Sequence, residues 1–169
     1  MNIQKFTQNS IQAVQGCEKV AYEYGNQEIE QEHLLYALLT QDDSLILKLF
    51  QKMELPKELV LNRVEEALRK RTKVQGGQAY IGRDLNTVLI NAEDEAKQMK
   101  DEYVSVEHIF LAMINHPNRE IKAIFKEFGI THERFLQVLF TVRGNQRVTS
   151  DNPEATYDTL SKYGVNLVE

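Results

Sequence analysis

Apolar residues recur at three- and four-residue intervals along almost the whole chain and proline is scarce, so the pattern predicts helices nearly throughout. Ile3, Phe6, Ser10, Val14, Cys17 and Ala21 mark one face of a first helix, which stops near Gly25-Asn26, where glycine tolerates a left-handed exit. A shorter, strongly apolar helix follows over about 31–40. Ser44 reads as the N-cap of a helix over 45–53, and Pro56 as an early position of one reaching about Lys70, where its missing amide proton is not needed. After the polar, glycine-containing stretch Thr72 to Ala79, a second series is predicted over 84–100, 106–115, 118–128 and 132–142. Gly129 closes its third helix and Thr131 caps its fourth.

The second series repeats the first. An offset of 75 residues carries Glu32-His33 onto Glu107-His108, Glu18 onto Glu93, Ala21 onto Ala96, Ile46 onto Ile121, Phe50 onto Phe125 and Leu61 onto Leu136. Thr7 falls on Gly82, and both suit an N-cap. The expected fold is all-α: eight helices as two pseudo-twofold four-helix repeats, about 1–72 and 81–143, within a domain 1–143. Residues 144–169 form a linker segment outside the repeat. It starts in a polar stretch, Arg143 to Arg147, that reads as loose, and continues into a short helix capped by Asn152 with Pro153 at its first position. Tyr157, Leu160 and Tyr163 give that helix a narrow apolar stripe. Duplication builds a seam and paired surfaces rather than a convergence of unlike residues, which points to binding and away from an enzyme.

Composition agrees. The chain has 169 residues, 42% of them hydrophobic and 27% charged, enough for one good core or two small fused ones. A formal net charge of −5 argues against nucleic acid as a partner. The cluster Arg69-Lys70-Arg71-Thr72-Lys73 lies where a helix ends, and the helix dipole favours cations there. No apolar stretch approaches the roughly 20 residues of a membrane span, and the N-terminal residues carry no secretory signal pattern, so no membrane partner and a cytoplasmic location are expected. The single Cys17 sits on an apolar helix face and reads as an inert buried thiol.

Candidate chemistry is sparse. Glu30-Gln31-Glu32-His33 contains a Glu-x-x-His pattern that, doubled, would suit a di-metal carboxylate centre in a metal-bundle enzyme. The second repeat has Ser105 where the partner glutamate would stand, so the metal set is incomplete. No phosphate-cradling glycine-lysine loop is present. What remains is the pair of acidic helix starts, with Glu32, His33, Glu107 and His108 in first turns. They serve either as helix-end carboxylates or as the rim of a shallow apolar groove suited to unfolded polypeptide.

On these residues the chain resembles the amino-terminal domain of the Clp family of AAA+ unfoldases, whose double four-helix repeat carries the same acidic-His helix start. The divergence of the two repeats and the tail from Arg147 to Glu169 resemble the ClpB disaggregase branch. The resemblance implies a substrate-recognition domain that binds unfolded or aggregated proteins and helps deliver them to a hexamer pore. It implies no cofactor in this segment, with ATP and magnesium held by further modules of a homohexameric parent that works with a DnaK-type chaperone. It also implies substrate contacts at Thr7, Asp101 and Glu107 around an exposed groove containing Leu89, with His108 where ClpB relatives commonly have an apolar residue. In the ClpC or ClpA branches, which recruit adaptors or phosphoarginine-marked substrates for a ClpP-type protease, the paired acids would be Glu32 and Glu107.

Overall fold

A computed structural model describes residues 3–144, apart from the side chain of Ile3, and the linker helix expected beyond Asn152 lies outside them. The first set of helices is α1 (Gln8–Glu23), α2 (Gln31–Thr40), α3 (Leu45–Lys52) and α4 (Lys57–Lys70). The second is α5 (Arg83–Gln98), α6 (Val106–Asn115), α7 (Arg119–Glu127) and α8 (His132–Arg143). Side-chain oxygens of Thr7, Ser44, Asn118 and Thr131 accept from the backbone N–H three residues on, so four starts are fixed by capping. Gly25 and Gly129 end α1 and α7 with φ of 70° and 65°, a region that L side chains disfavour.

The first helix is shorter than its apolar periodicity suggests. Ile3–Lys5 form a separate 3-10 turn, and Phe6 is extended and bridged in parallel to Val104. The backbone there is committed across the molecule: Thr7 N–H donates to Val104 C=O at 2.9 Å and Val104 N–H to Lys5 C=O at 2.7 Å. A buried phenylalanine at helical spacing carries no sign that its backbone pairs elsewhere.

The same crossing occurs a second time. Two-residue strands β1 (Glu28–Ile29) and β2 (Tyr80–Ile81) run parallel, with Ile29 opposite Ile81, and Gly82 N–H donates to Ile29 C=O at 2.8 Å. Ile81 lies 75 residues after Phe6, and Val104 75 after Ile29. The segment leading into each repeat is therefore donated to the other repeat, and neither half closes its backbone hydrogen bonds alone.

The core is equally shared. One apolar cluster takes residues from all eight helices, and Phe110 of α6 stands among Phe50 of α3, Phe125 of α7 and Phe135 of α8, with ring centroids 5.6, 5.3 and 4.6 Å away. Each such aromatic contact is worth about 0.5–1.5 kcal/mol beyond area burial, and the Phe50–Phe110 one spans the seam. Cys17 is buried here, where desolvation pushes its thiol well above the ordinary range.

Candidate functional site: two buried helix-start clusters

At the start of α6, the backbone N–H of Ser105 donates to Nδ1 of His108 at 2.9 Å, which places the proton of the neutral ring on Nε2. Nε2 meets Oδ2 of Asp101 at 2.7 Å. Arg143, the last residue of α8, donates from Nη2 to Oδ1 of Asp101 at 2.7 Å and from Nη1 to Oε2 of Glu107 at 3.1 Å. Asp101 is 8% exposed, Arg143 2%, and Glu107 and His108 not at all. Oε1 of Glu107 is buried with no hydrogen-bond partner among the described residues.

The first repeat builds the same frame with different parts. The Glu30 N–H donates to Nδ1 of His33 at 2.8 Å, and Nε2 of that ring meets Oδ1 of Asn26, the offset mate of Asp101, at 3.0 Å. Arg71, just past α4, donates to Glu32 at 2.7 Å and to Glu28 at 2.6 Å. The other oxygen of Glu32 accepts from Nδ2 of Asn118 at 2.8 Å. Burial is the main cause that takes His33 down to about 4, so its ring is neutral near pH 7.

This cluster also fastens the halves. Nε2 of the fully buried Gln31 donates to the carbonyls of Asp84 and His116 at 3.0 and 2.9 Å, and its Oε1 accepts from Asn118 N–H at 2.8 Å. Glu30 accepts from Asp84 N–H at the start of α5 at 3.1 Å. A Cβ on Gly82 would overlap the Glu30 carboxyl, so glycine is needed there for space, not for its φ of −73°. Burial first, then the charges of Asp84 and Glu28, push the Glu30 carboxyl up to about 7, against the N–H groups of Asp84 and Gln31.

The expected site residues thus fall into three places. Asp101, Glu107 and His108 meet around Arg143, with Thr7 tied by its N–H to nearby Val104. Glu32 belongs to the other cluster. Leu89 is fully buried in the core on α5. The expectation of partly solvated acids rimming an exposed groove that contains Leu89 is corrected: all six residues are buried, and the three carboxylates are held by the chain's own arginines. Arg71 does more than complement a helix dipole, and Arg143, expected in a loose stretch, is among the largest fully buried side chains. Both arginines stand where a four-helix set ends, which is the signal that could have found them. Glu30 and His33 are spent on the helix start and on the α5 contact.

The outer surface is different. Tyr22 is 87% exposed and Tyr80 53%, and Val74, Ile81, Ile90 and Phe140 are exposed too. The stretch after α4 lies as a strap over the end of α1: Val74 N–H donates to Gly25 C=O at 2.9 Å, Asn26 Nδ2 to Thr72 C=O and Gln27 Nε2 to Gln78 C=O, both at 3.2 Å. No helix of the described residues is long and apolar enough to cross a membrane.

Fold and clusters define a duplicated four-helix domain with an arginine–carboxylate cluster at a helix start in each half. The chain belongs to the Clp repeat (R) N-terminal domain family, whose profile matches residues 5–128. It is 45% identical, over all of its length, to the chaperone protein ClpB of Nitratidesulfovibrio vulgaris, and it spans about a fifth of that relative (20%). Among solved structures it is similar to the Hsp104 N-terminal domain of Candida albicans, at TM-score 0.78 and 24% identity, covering 89% of this chain and 99% of that one. A complex of a ClpV N-domain with a VipB peptide shares the fold at TM-score 0.66 and 19% identity, over 82% and 86% of the two chains.

Proposed function

We propose that this domain is the substrate-recognition module of an ATP-dependent protein disaggregase, binding unfolded or aggregated polypeptide and helping to pass it to the pore of a hexameric parent. In this reading the parent is a cytoplasmic homohexamer that holds ATP and magnesium in other modules and cooperates with a DnaK-type chaperone, while the domain itself catalyses nothing. The observation that carries the reading is the division of labour in the fold. The acids that the sequence offered as contacts are closed inside two arginine-centred clusters, and the outer surface, otherwise charged, carries exposed aromatic and aliphatic groups such as Tyr22, Tyr80, Ile90 and Phe140. Such a surface suits apolar, extended segments of many sequences. A ClpV N-domain of the same fold is known in complex with a peptide, which supports a peptide-binding role.

Thr7, Asp101, Glu107, His108 and Glu32 then act one step behind the surface, fixing the loops on which contact residues stand, and Leu89 holds α5 to the core. Recognition of a phosphoarginine by Glu32 and Glu107 would require displacing Arg71 and Arg143, and nothing in the two clusters favours it. The test is titration of a labelled, reduced and alkylated protein, unable to refold, with this domain. Saturable binding to that probe and none to its native form is expected. Equal binding to both, or to neither, would remove the reading.

A further inference from the structure

Two cavities of about 280 Å³ each lie side by side along the strap and share Asn26, Gln27 and Val74. One is completed by Glu18, Tyr22, Gly25, Gly76, Gly77 and Ala79, and the other by Glu28, Arg71, Thr72 and Tyr80. Each falls just below the ~300–1,000 Å³ of a small-molecule site, so each suits one side chain rather than a whole compact ligand. Two adjoining cavities of that size fit successive side chains of a linear chain.

We propose that the strap and its cavities form a docking cleft for an extended polypeptide segment carrying a large apolar side chain next to a lysine or arginine. The proposal deepens the substrate-recognition reading and rests on it. The apolar side chain enters the cavity between Tyr22, Val74 and Ala79. The basic residue faces Glu18, which is exposed, lines that cavity and has no ion-pair partner among the described residues. In the neighbouring cavity Glu28 and Arg71 are already paired, which leaves Glu18 as the unpaired carboxylate among the described residues that line the two cavities.

The strap is built to meet a backbone. Gly76 and Gly77 have φ of 74° and 80°, and a Cβ on Gly77 would come within 2.8 Å of Nε2 of Gln27. Their bare backbone faces the cavity, and from Gln75 to Gly77 the strap makes no backbone hydrogen bonds among the described residues. Those groups are open to an extended partner, which adds to an exposed edge by main-chain hydrogen bonding and places alternate side chains in pockets. A second copy of this chain fits less well, since each copy carries a formal charge of −5.

The test uses the whole chain and a fluorescent peptide, Ser-Gly-Lys-Phe-Leu-Lys-Gly-Ser, with an analogue bearing glutamates in place of both lysines. Fluorescence anisotropy should show the basic peptide bound at least about fivefold more tightly than the acidic one, a preference that Glu18→Lys abolishes. Tyr22→Ala and Val74→Ser, at exposed positions, should each weaken the basic peptide by about fivefold or more with the melting temperature kept. No binding by the wild type at about 1 mM, or equal binding by the wild type and both apolar variants, overturns the proposal. Concentration-dependent self-association that Val74→Ser removes also overturns it, by assigning the cleft to a second copy. If the unfolded protein still binds while the peptide does not, the cleft is wrong and the substrate-recognition reading stands. If neither binds, that reading fails as well.

Discussion

The helix starts at Glu30 and at Ser105 occupy corresponding places in a duplicated fold, and they balance buried charge in different ways. In the second, Arg143 faces two carboxylates in a closed interior, and one oxygen of Glu107 has no hydrogen-bond partner among the described residues. In the first, Asn26 replaces the aspartate, Asn118 satisfies the second oxygen of Glu32, and the Arg71 side chain keeps 21% of its surface in solvent. The first cluster also reaches across the seam through Gln31 and Glu30. Duplication preserved the histidine that closes each helix start, while the charged partners diverged. One copy became a sealed pin and the other a bridge between halves.

The largest effect should come from removing one copy altogether. Residues 1–73 expressed alone leave Phe6, Ile29 and the Phe50 contact without their partners from the other half. That fragment should show no cooperative thermal transition, because a body of that size has a marginal core even when its hydrogen bonds close. A sharp transition in the isolated fragment would make the halves independent.

Next come the arginines. Arg143→Met takes from two buried carboxylates the arginine they share and should destabilise by about 3–5 kcal/mol in urea unfolding. Arg71→Met should cost less, about 1–3 kcal/mol, because Glu28 and the arginine are partly solvated and Asn118 still holds Glu32. Equal losses would show that the two clusters are energetically alike. A smaller effect is expected at the bridge: Gly82→Ala pushes into the Glu30 carboxyl and should cost about 1–3 kcal/mol. Adding Glu30→Ser, the residue type at Ser105, should recover most of it.

The smallest effect is a pH slope from Glu30 and His33. The folded pKa of Glu30, about 7, lies above its ordinary 4.5, so its contribution is full below 4.5 and is lost as pH rises through 7. His33 runs the other way. Its folded pKa of about 4 lies below 6.5, so its contribution is full above 6.5 and is lost as pH falls through 4. The two oppose each other between 4.5 and 6.5. Glu30→Gln should therefore make urea stability rise more steeply with pH across that window than in the wild type, and an unchanged slope would refute the assignment.

Most of the architecture was legible in the sequence, because caps and glycines mark the helix ends and a gapless offset of 75 residues marks the repeat. The bridges Phe6–Val104 and Ile29–Ile81 were not, since segments of one or two residues are too short to show the alternation of a strand. The site was legible only as far as residue type. Glu32, Glu107 and the two histidines stand out by repetition, but whether a carboxylate meets solvent or an arginine depends on where a distant helix ends. Arg71 and Arg143 are not offset mates, so the repeat did not point to them. The strap reads in the sequence as a polar linker, and its hydrogen bonds to the end of α1, from the Asn26 and Gln27 side chains and from the Val74 N–H to the Gly25 carbonyl, have no periodic signature.

On the proposed reading, Asp101 and Glu107 serve the fold rather than the ligand. The most direct measurement combines urea stability and unfolded-protein affinity of the triple variant Asp101→Asn, Glu107→Gln, Arg143→Met. This replacement removes the buried charges together, so it should stay folded within about 2 kcal/mol of the wild type, unlike Arg143→Met alone. The account predicts affinity within about twofold of the wild type. A folded triple variant whose affinity falls about tenfold or more would contradict it and return the acids to the binding surface.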